Sequence, residues 1–292
     1  MDGARHGTAA GTGRPMIGWI TVLALAATVA LVGVRRARFA REVAAEARSL
    51  WALREDAPPA RLDPGALPAP VRRYLEVAGA LEATPLAAAR LRHGGSFRPA
   101  LDGAWRPIRG VQYLAAEPPG FVWWGRVRLA PGVEVAARDR SAGGEGGMRI
   151  ALASALVMAD LSGPELDAGA LQRLLAELVW LPTALLDARH VAWLPRDASS
   201  ARARLRVGGR EVEVTFHFGG DGLPERITAL RYRDVKGRGV LTPWTGRCAD
   251  WRQVGGVRVP FRLEASWELD GRDQPYARFE VERLEHGVPQ PF

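Results

Sequence analysis

Three groups of residues in this sequence could carry chemistry. The first is Arg173 and Glu177, four positions apart, with Trp180 close behind. In a helix this spacing places Arg173 and Glu177 on one face, beside a stripe of leucines. Glu177 is then either a polar anchor or general base facing a cavity, or half of an ion pair at the edge of the helix.

The second group is a pair of adjacent tryptophans, Trp123 and Trp124. Neighbouring residues of a strand point to opposite faces, so one indole faces inward and the other outward. An outward tryptophan would suit a membrane interface, whereas the simpler interpretation is one core and one rim aromatic residue.

The third group is Asp139 and Arg140, with Arg126 upstream. If their strands pair, the Asp139 carboxylate and the Arg126 guanidinium meet on one face. The default expectation is a structural salt bridge. In the alternative interpretation, Asp139 serves as the base of a hydrolase.

Signatures of common catalytic and cofactor sites are absent from the sequence. No Gly-x-Ser-x-Gly motif occurs, and the glycine-rich run at 143–147 lacks the Lys-Ser/Thr end of a phosphate loop. The histidines are scattered without metal-ligand spacing. We therefore predict no metal, no cofactor and no catalytic residue, and we favour a protein that is not an enzyme.

Charge argues against nucleic acid as a partner. The chain has 292 residues, a formal net charge of +8 and a pI near 10.7. Its arginines are interleaved with acids, as where Arg204 and Arg206 precede Glu211 and Glu213. A nucleic-acid binder would instead present a face of one sign.

The N-terminal region predicts a membrane anchor. Residues 15–34 carry no charge, and as a helix they would span about 30 Å. The run is long for a signal peptide and ends in a poor cleavage site, which favours an uncleaved single-pass helix in a bacterial inner membrane. Arginines follow at once and favour a cytoplasmic soluble domain, with a periplasmic one left open; they are Arg35, Arg36, Arg38 and Arg41.

The rest of the chain divides by composition. We predict an N-terminal tail over 1–14, the transmembrane helix over 15–34 and an amphipathic juxtamembrane helix over 35–55. That juxtamembrane helix lies either on the membrane surface or against the domain. A Pro/Ala-rich linker covers 56–70, and a β-rich soluble domain covers 71–292.

Alternation of apolar and polar residues predicts the fold class. Residues 201–207 and 210–218 alternate around Gly208-Gly209, which predicts a hairpin pairing Val207 with Arg210. A long strand is equally clear over 257–269. We predict a mainly β protein with one prominent helix near 164–181: a curved antiparallel meander, or incomplete barrel, packed on that helix, plus the N-terminal transmembrane helix.

Four stretches resemble an uncharacterised bacterial family of membrane-anchored proteins of unknown function. The stretches are LPAPVRRYLEVAGA (67–80), PPGFVWWGRVRL (118–129), LQRLLAELVWLPTALLD (171–187) and LTPWTGRCADWRQVGGVRVP (241–260). The resemblance implies no activity. The derived architecture also resembles lipoprotein-carrier half-barrels at the level of the fold.

The leading hypothesis is a membrane-anchored protein that binds a lipid or another apolar ligand between its curved sheet and its helix. The alternatives are a hydrolase that uses Glu177 or Asp139, and an envelope scaffold with a fully packed core. The sequence leaves the oligomeric state open. The predicted ligand-binding residues are Trp123, Arg126, Arg173, Glu177, Trp180, Trp244 and Trp267.

Overall fold

A computed structural model describes residues 14–53 and 60–292, except the side chains of residues 14–18, 20 and 21. Its helices are α1 (Arg14–Ala52), α2 (Ala69–Val77) and α3 (Pro164–Glu177), with short 3-10 turns at Pro64–Ala66, Leu178–Trp180 and Pro182–Leu186. The strands are β1 (Ala88–Phe97), β2 (Arg106–Ala116), β3 (Pro119–Ala130), β4 (Val133–Ala142), β5 (Glu145–Leu152), β6 (Leu156–Leu161), β7 (Val191–Pro195), β8 (Ser200–Val207), β9 (Arg210–Phe218), β10 (Pro224–Val235), β11 (Arg238–Val254), β12 (Val257–Leu269) and β13 (Arg272–His286).

All thirteen of these strands belong to one antiparallel sheet, in the order β6-β5-β4-β3-β2-β1-β13-β12-β11-β10-β9-β8-β7. The chain therefore runs outward from the middle over β1–β6 and returns inward from the opposite edge over β7–β13, so that β1 pairs with β13 at the centre. Helix α3 follows β6 at one edge and leads to β7 at the other. It packs against β3–β5 and β8–β10, so the sheet curves around it. The predicted curved antiparallel sheet with a helix against it is confirmed.

Two turns from opposite halves of the curved sheet, β4–β5 and β8–β9, meet beside the start of α3. Gly208 has a φ of 58°, and a Cβ at this position would lie 1.9 Å from the Gly143 carbonyl oxygen. Glycine is therefore required for the β8–β9 turn to approach the β4–β5 turn this closely. Asp167 of α3 also joins β5 to β9, accepting from the Gly146 amide at 2.7 Å and pairing with Arg210 at 2.9 Å.

The best-defined sequence pattern folds in its predicted register. In the β8–β9 hairpin, Val207 pairs with Arg210, and the charged pairs Arg206–Glu211 and Arg204–Glu213 lie opposite each other. The salt bridges between them measure 2.6 Å in both cases. The alternation of 257–269 likewise forms β12, with Glu264 facing Arg278 of β13 at 2.7 Å.

The sheet has an inner face against α3 and an outer face against α1. The main core joins the leucines of α3 to inner residues such as Leu114 and Phe121. A second core lies on the outer face, where the C-terminal half of α1 packs on β2 and β3; its α1 members are Phe39, Val43, Ala47 and Leu50. Trp51 at the end of α1 donates to the Leu114 carbonyl at 3.0 Å. This part of the predicted juxtamembrane helix thus packs against the domain.

Two strands differ from the sequence-based expectation. Residues 148–156 alternate as one strand would, but Ala153 and Ser154 have φ angles of 51° and 54°, so β5 ends and β6 begins there. The sequence did not predict β6 as a separate strand, and it missed β7. Both are short edge strands, whose alternation is too brief to stand out.

The predicted transmembrane helix over 15–34 is not confirmed. Within the residues that the structure describes, no helix is long and apolar enough to cross a membrane. Helix α1 is continuous through the predicted boundary between residues 34 and 35. Residues 1–13 and 54–59 lie outside the described residues; they hold most of the predicted tail, the end of the predicted juxtamembrane helix and the start of the linker. The predicted domain division stays a prediction.

Candidate functional site

A buried network of hydrogen bonds links α3 to the inner face of the sheet. Arg173 donates to Glu177 Oε1 at 2.9 Å and to Asp139 Oδ2 at 2.7 Å. Gln112 of β2 donates to Glu177 Oε2 at 2.7 Å and accepts from Arg173 at 3.2 Å. We call these four residues the Arg173 network. The predicted Arg173–Glu177 ion pair therefore forms, although its setting is a protein interior instead of a solvated helix edge.

The network is held in place by aromatic rings. The Arg173 guanidinium lies 4.8 Å from the Phe121 ring and 4.9 Å from the Trp123 ring. Burial lowers the pKa of Arg173, but the carboxylates of Glu177 and Asp139 more than offset this, so its pKa lies above the ordinary value. Arg173 is therefore a fixed cation at any physiological pH.

Trp123 connects the network to a buried histidine. Its indole N–H donates to His93 Nε2 at 2.9 Å, so His93 accepts as a neutral imidazole. The His93 ring packs against Phe279 of β13, with centroids 4.3 Å apart. Burial lowers the pKa of His93 to about 4. Trp123 thus requires a neutral His93 for its hydrogen bond.

Glycines let the inner-face rings lie flat on the sheet. A Cβ at Gly125 would lie 2.2 Å from the Trp123 ring, and one at Gly110 would lie 2.3 Å from His93 Nε2. Gly246 plays the same part beneath Trp244, with a Cβ distance of 2.8 Å. Because these positions carry no side chain, the rings pack directly against the backbone of the sheet.

We predict that Gly125→Ala destabilises the protein by about 1–3 kcal/mol, because its methyl group overlaps the Trp123 indole and forces the ring from its place. The measurement is the free energy of urea unfolding. Gly220→Ala is the matched control, because a Cβ there meets nothing within 4 Å; we expect it to shift stability by less than about 0.5 kcal/mol. Equal effects of the two substitutions would contradict the prediction.

A second arginine borders the inner face beyond α3. Arg231 of β10 donates to the Gly169 carbonyl of α3 at 2.8 Å and stacks over Trp244 at 4.8 Å. Trp244 in turn donates to the Tyr276 hydroxyl at 3.0 Å. Burial is the largest effect on Arg231 and lowers its pKa, while Tyr276 acts in the opposite sense.

Two polar atoms of this region remain unpaired. Asp139 Oδ1 and Arg231 Nε are two of the eleven buried side-chain atoms in the described residues that have no hydrogen-bond partner. Buried polar atoms in native proteins are usually paired, so this acceptor and this donor are available to hydrogen-bond a water or a ligand. Asp139 and Arg231 contact α3 at Arg173 and Gly169, positions one helical turn apart.

The inner face continues past α3 as a less covered apolar surface. The inward side chains of Leu263, Ala265 and Trp267 on β12 are only partly buried. Trp267 stacks on Tyr276 with centroids 5.8 Å apart, and Phe97 meets Tyr276 edge-on at 6.1 Å. We call Leu263, Ala265, Trp267, Tyr276 and Phe279 the open inner face.

The structure brings together some of the predicted ligand-binding residues and separates others. Trp123, Arg173 and Glu177 meet at the network, while Trp244 and Trp267 lie beside Tyr276. Trp180 lies deep in the core, where its indole donates to the Pro260 carbonyl at 2.9 Å.

The expected meeting of Arg126 with Asp139 does not occur. Arg126 points to the outer face, where it stacks over Trp124 at 5.0 Å, and Asp139 points inward to Arg173. Trp123 and Trp124 point to opposite faces of β3, because neighbouring strand residues alternate. Arg126 shares the outer face with Trp124, and Asp139 shares the inner face with Trp123.

Sequence reasoning missed several residues of the site. Gln112, Arg231 and Tyr276 belong to no local motif. His93 has no partner nearby in the sequence, because Trp123 is thirty positions away. The alternation within each strand indicates the face of the sheet on which these residues lie, but it does not identify the residues they contact.

Cavities of substantial size lie elsewhere in the described part of the chain. Four of them measure about 360, 450, 340 and 410 Å³. None of these four is lined by Trp123, Arg173, Glu177 or Trp267. Beside α3, the space between the sheet and the helix holds the Arg173 network and its aromatic neighbours, whereas the open inner face is less covered.

Glu117, Asp187 and His190 bring metal-type ligand atoms within 4.8 Å of one another. Arg189, however, pairs with the carboxylates of both Glu117 and Asp187. Its guanidinium already supplies the positive charge that a metal ion would bring. We interpret this group as a structural ion-pair cluster that ties β7 to the β2–β3 turn.

Comparison with known proteins places the chain in a family. A family model described as "Family of unknown function (DUF6544)" matches residues 59–279. The chain belongs to DUF6544. This confirms the resemblance to an unknown-function family. A comparison with curated proteins finds no match.

Solved structures similar to this DUF6544 protein include two bacterial ones. A DUF1329 family protein from Desulfovibrio piger is 16% identical with a TM-score of 0.40, over 75% of this chain and 94% of that one. A LolA superfamily protein from Nitrosomonas europaea is 13% identical with a TM-score of 0.35, over 72% of this chain and 90% of that one.

Proposed function

We propose that this DUF6544 protein binds an amphipathic ligand, a lipid or fatty acid, on its open inner face. The observation that carries the proposal is the pair of unpaired buried atoms, Arg231 Nε and Asp139 Oδ1. A ligand head that both accepts and donates hydrogen bonds, such as a phosphoglycerol, would satisfy both atoms, and a fatty acid carboxylate would accept from Arg231 Nε.

The apolar surroundings support an acyl chain as the other part of the ligand. Leu263, Ala265, Trp267 and Phe279 are partly buried side chains that face inward. Covering them with an acyl chain would contribute about 25 cal/mol for each Å² of apolar surface removed from water. Ligand sites combine such apolar walls with a few polar groups that fix orientation.

The alternative hydrolase receives less support. Both oxygens of Glu177 already accept hydrogen bonds, from Arg173 and Gln112. Asp139 keeps one oxygen on Arg173. We infer that these carboxylates position Arg173 and that the site binds without reacting.

Membrane association belongs to the same proposal. It is supported by the uncharged residues 15–34 and the arginines that follow them. We propose an inner-membrane location with the β-rich domain in the cytoplasm, on the positive-inside rule.

We predict that the full chain binds a fluorescent fatty acid and that Arg231→Gln weakens this binding about tenfold to a hundredfold, the loss expected for a hydrogen bond to a charged group. Fluorescence titration measures the Kd. Arg262→Gln on the exposed outer face of β12 is the control and should leave the Kd unchanged. A wild-type protein that binds neither fatty acid nor phosphatidylglycerol would overturn the proposal.

A further inference from the structure

Helix α1 leaves the sheet at one defined end. Arg35 donates to the Ala155 carbonyl in the β5–β6 turn at 3.4 Å, and Arg36 pairs with Glu134 beside the β3–β4 turn at 2.5 Å. Sixteen residues later, Trp51 bonds to Leu114 near the other ends of these strands. Residues before Arg35 therefore extend beyond the sheet at the end that carries the β3–β4 and β5–β6 turns.

This end of the sheet is unusually apolar. The side chains of Leu156, Val157 and Met158 at the start of β6 are 57%, 52% and 63% exposed. Val133 at the start of β4 is 43% exposed. We call these four residues the β6 surface. Exposed apolar clusters of this kind mark contacts with a partner or a membrane.

Cationic and apolar groups are layered at this end. Arg35, Arg36 and Arg38 of α1 are exposed beside the β6 surface, where Arg36 also pairs with Glu134 and Arg38 with Glu42. On their far side α1 continues as exposed apolar residues, among them Leu23, Val29 and Val34. Arginines between two apolar surfaces match the layering of a bilayer, in which anionic headgroups lie beside the acyl region.

We propose that the β6 surface contacts a lipid bilayer that contains anionic headgroups. Its apolar side chains enter the interface, and Arg35, Arg36 and Arg38 lie at the level of the headgroups. This contact rests on the membrane association proposed above and is independent of ligand binding on the open inner face.

The geometry of β6 favours lipid over a second copy of the chain. Strand β6 is an edge strand, which could pair with another edge. Met158, however, is an extra residue in its pairing with β5, where the register shifts. Such a bulge interrupts the ladder and protects an edge from pairing. The three consecutive exposed apolar residues also lie on both faces of the strand. A strand that is apolar on both faces is suited to insertion into an apolar medium.

Depth-dependent quenching tests this contact on the full chain. An environment-sensitive fluorophore is attached at Met158→Cys, or at Leu53→Cys as the control, each in a Cys248→Ala background. Leu53 is 51% exposed and follows the opposite end of α1. The protein is mixed with phosphatidylcholine–phosphatidylglycerol vesicles that carry nitroxides on the acyl chains.

We expect quenching of the label at 158 and none at 53. We also expect about tenfold weaker vesicle binding for the double variant Leu156→Asp/Met158→Asp. Equal quenching at both positions, or quenching at neither, would overturn the proposal. So would a disulfide between two copies of Met158→Cys that forms without vesicles, because it would assign β6 to self-association.

Discussion

Replacing Arg173 with methionine should lower the free energy of unfolding by about 3–5 kcal/mol, the cost of removing one partner from a buried ion pair. Methionine keeps much of the side-chain volume but leaves Asp139 and Glu177 without their cation. Both carboxylates are largely buried, with 9% and 13% of their side-chain surface exposed. Gln112 would also lose a hydrogen bond.

Urea unfolding of paired variants separates charge from packing. Adding Asp139→Asn and Glu177→Gln to Arg173→Met should recover most of the loss, because no buried charge then remains. Arg206→Met is a matched control on the exposed side of the β8–β9 hairpin, with an expected cost below about 1 kcal/mol. A triple variant no more stable than Arg173→Met would show that the network contributes packing alone.

Acidification should destabilise the wild-type protein through His93. Burial lowers the pKa of His93 from 6.5 to about 4, so between these values the unfolded chain binds a proton that the folded chain does not. Stability is therefore lost as pH falls from 6.5 toward 4. Between about pH 7 and pH 5 this one group should cost about 2 kcal/mol.

The comparison with His93→Gln isolates this effect. Glutamine does not titrate, so its free energy of unfolding should fall less steeply between about pH 7 and pH 5. Burial also lowers the pKa values of His217 and His286, but these groups are common to both proteins and cancel in the difference. Parallel pH profiles for wild type and variant would rule out a neutral, buried His93.

Local patterns account for what the sequence predicted well. The alternation of 201–218 and the two-residue Gly208-Gly209 turn determine both the strands and their register, because a slip of one residue would turn every apolar side chain outward. The Arg173–Glu177 pair was visible for the same reason, since helical spacing alone brings the two together.

Long-range contacts explain the features that the sequence did not predict. Asp139 meets Arg173 because the sheet curves around α3, and the curvature depends on close approaches such as Gly143 to Gly208. The pairing of β1 with β13 joins residues nearly two hundred positions apart, such as Arg90 and Glu285. Alternation assigns each of these residues to a face of its strand but does not specify which strand lies beside it.

The β6 surface and the open inner face lie at related positions. The β5–β6, β3–β4 and β1–β2 connections are alternate turns of one antiparallel meander, so they lie at the same end of the sheet. The β12–β13 turn beyond Trp267 joins them, because β13 pairs antiparallel with β1. A bilayer at the β6 surface would therefore face the end of the sheet nearest the proposed ligand site.

Photo-crosslinking tests ligand binding on the inner face most directly. The full chain is illuminated with a fatty acid that carries a diazirine on its acyl chain, and the modified residues are mapped by mass spectrometry. We predict modification at Leu263, Ala265, Trp267, Tyr276 and Phe279, competed by unlabelled fatty acid and reduced in Arg231→Gln. Modification confined to the outer face, or none that unlabelled fatty acid competes, would contradict the proposed site.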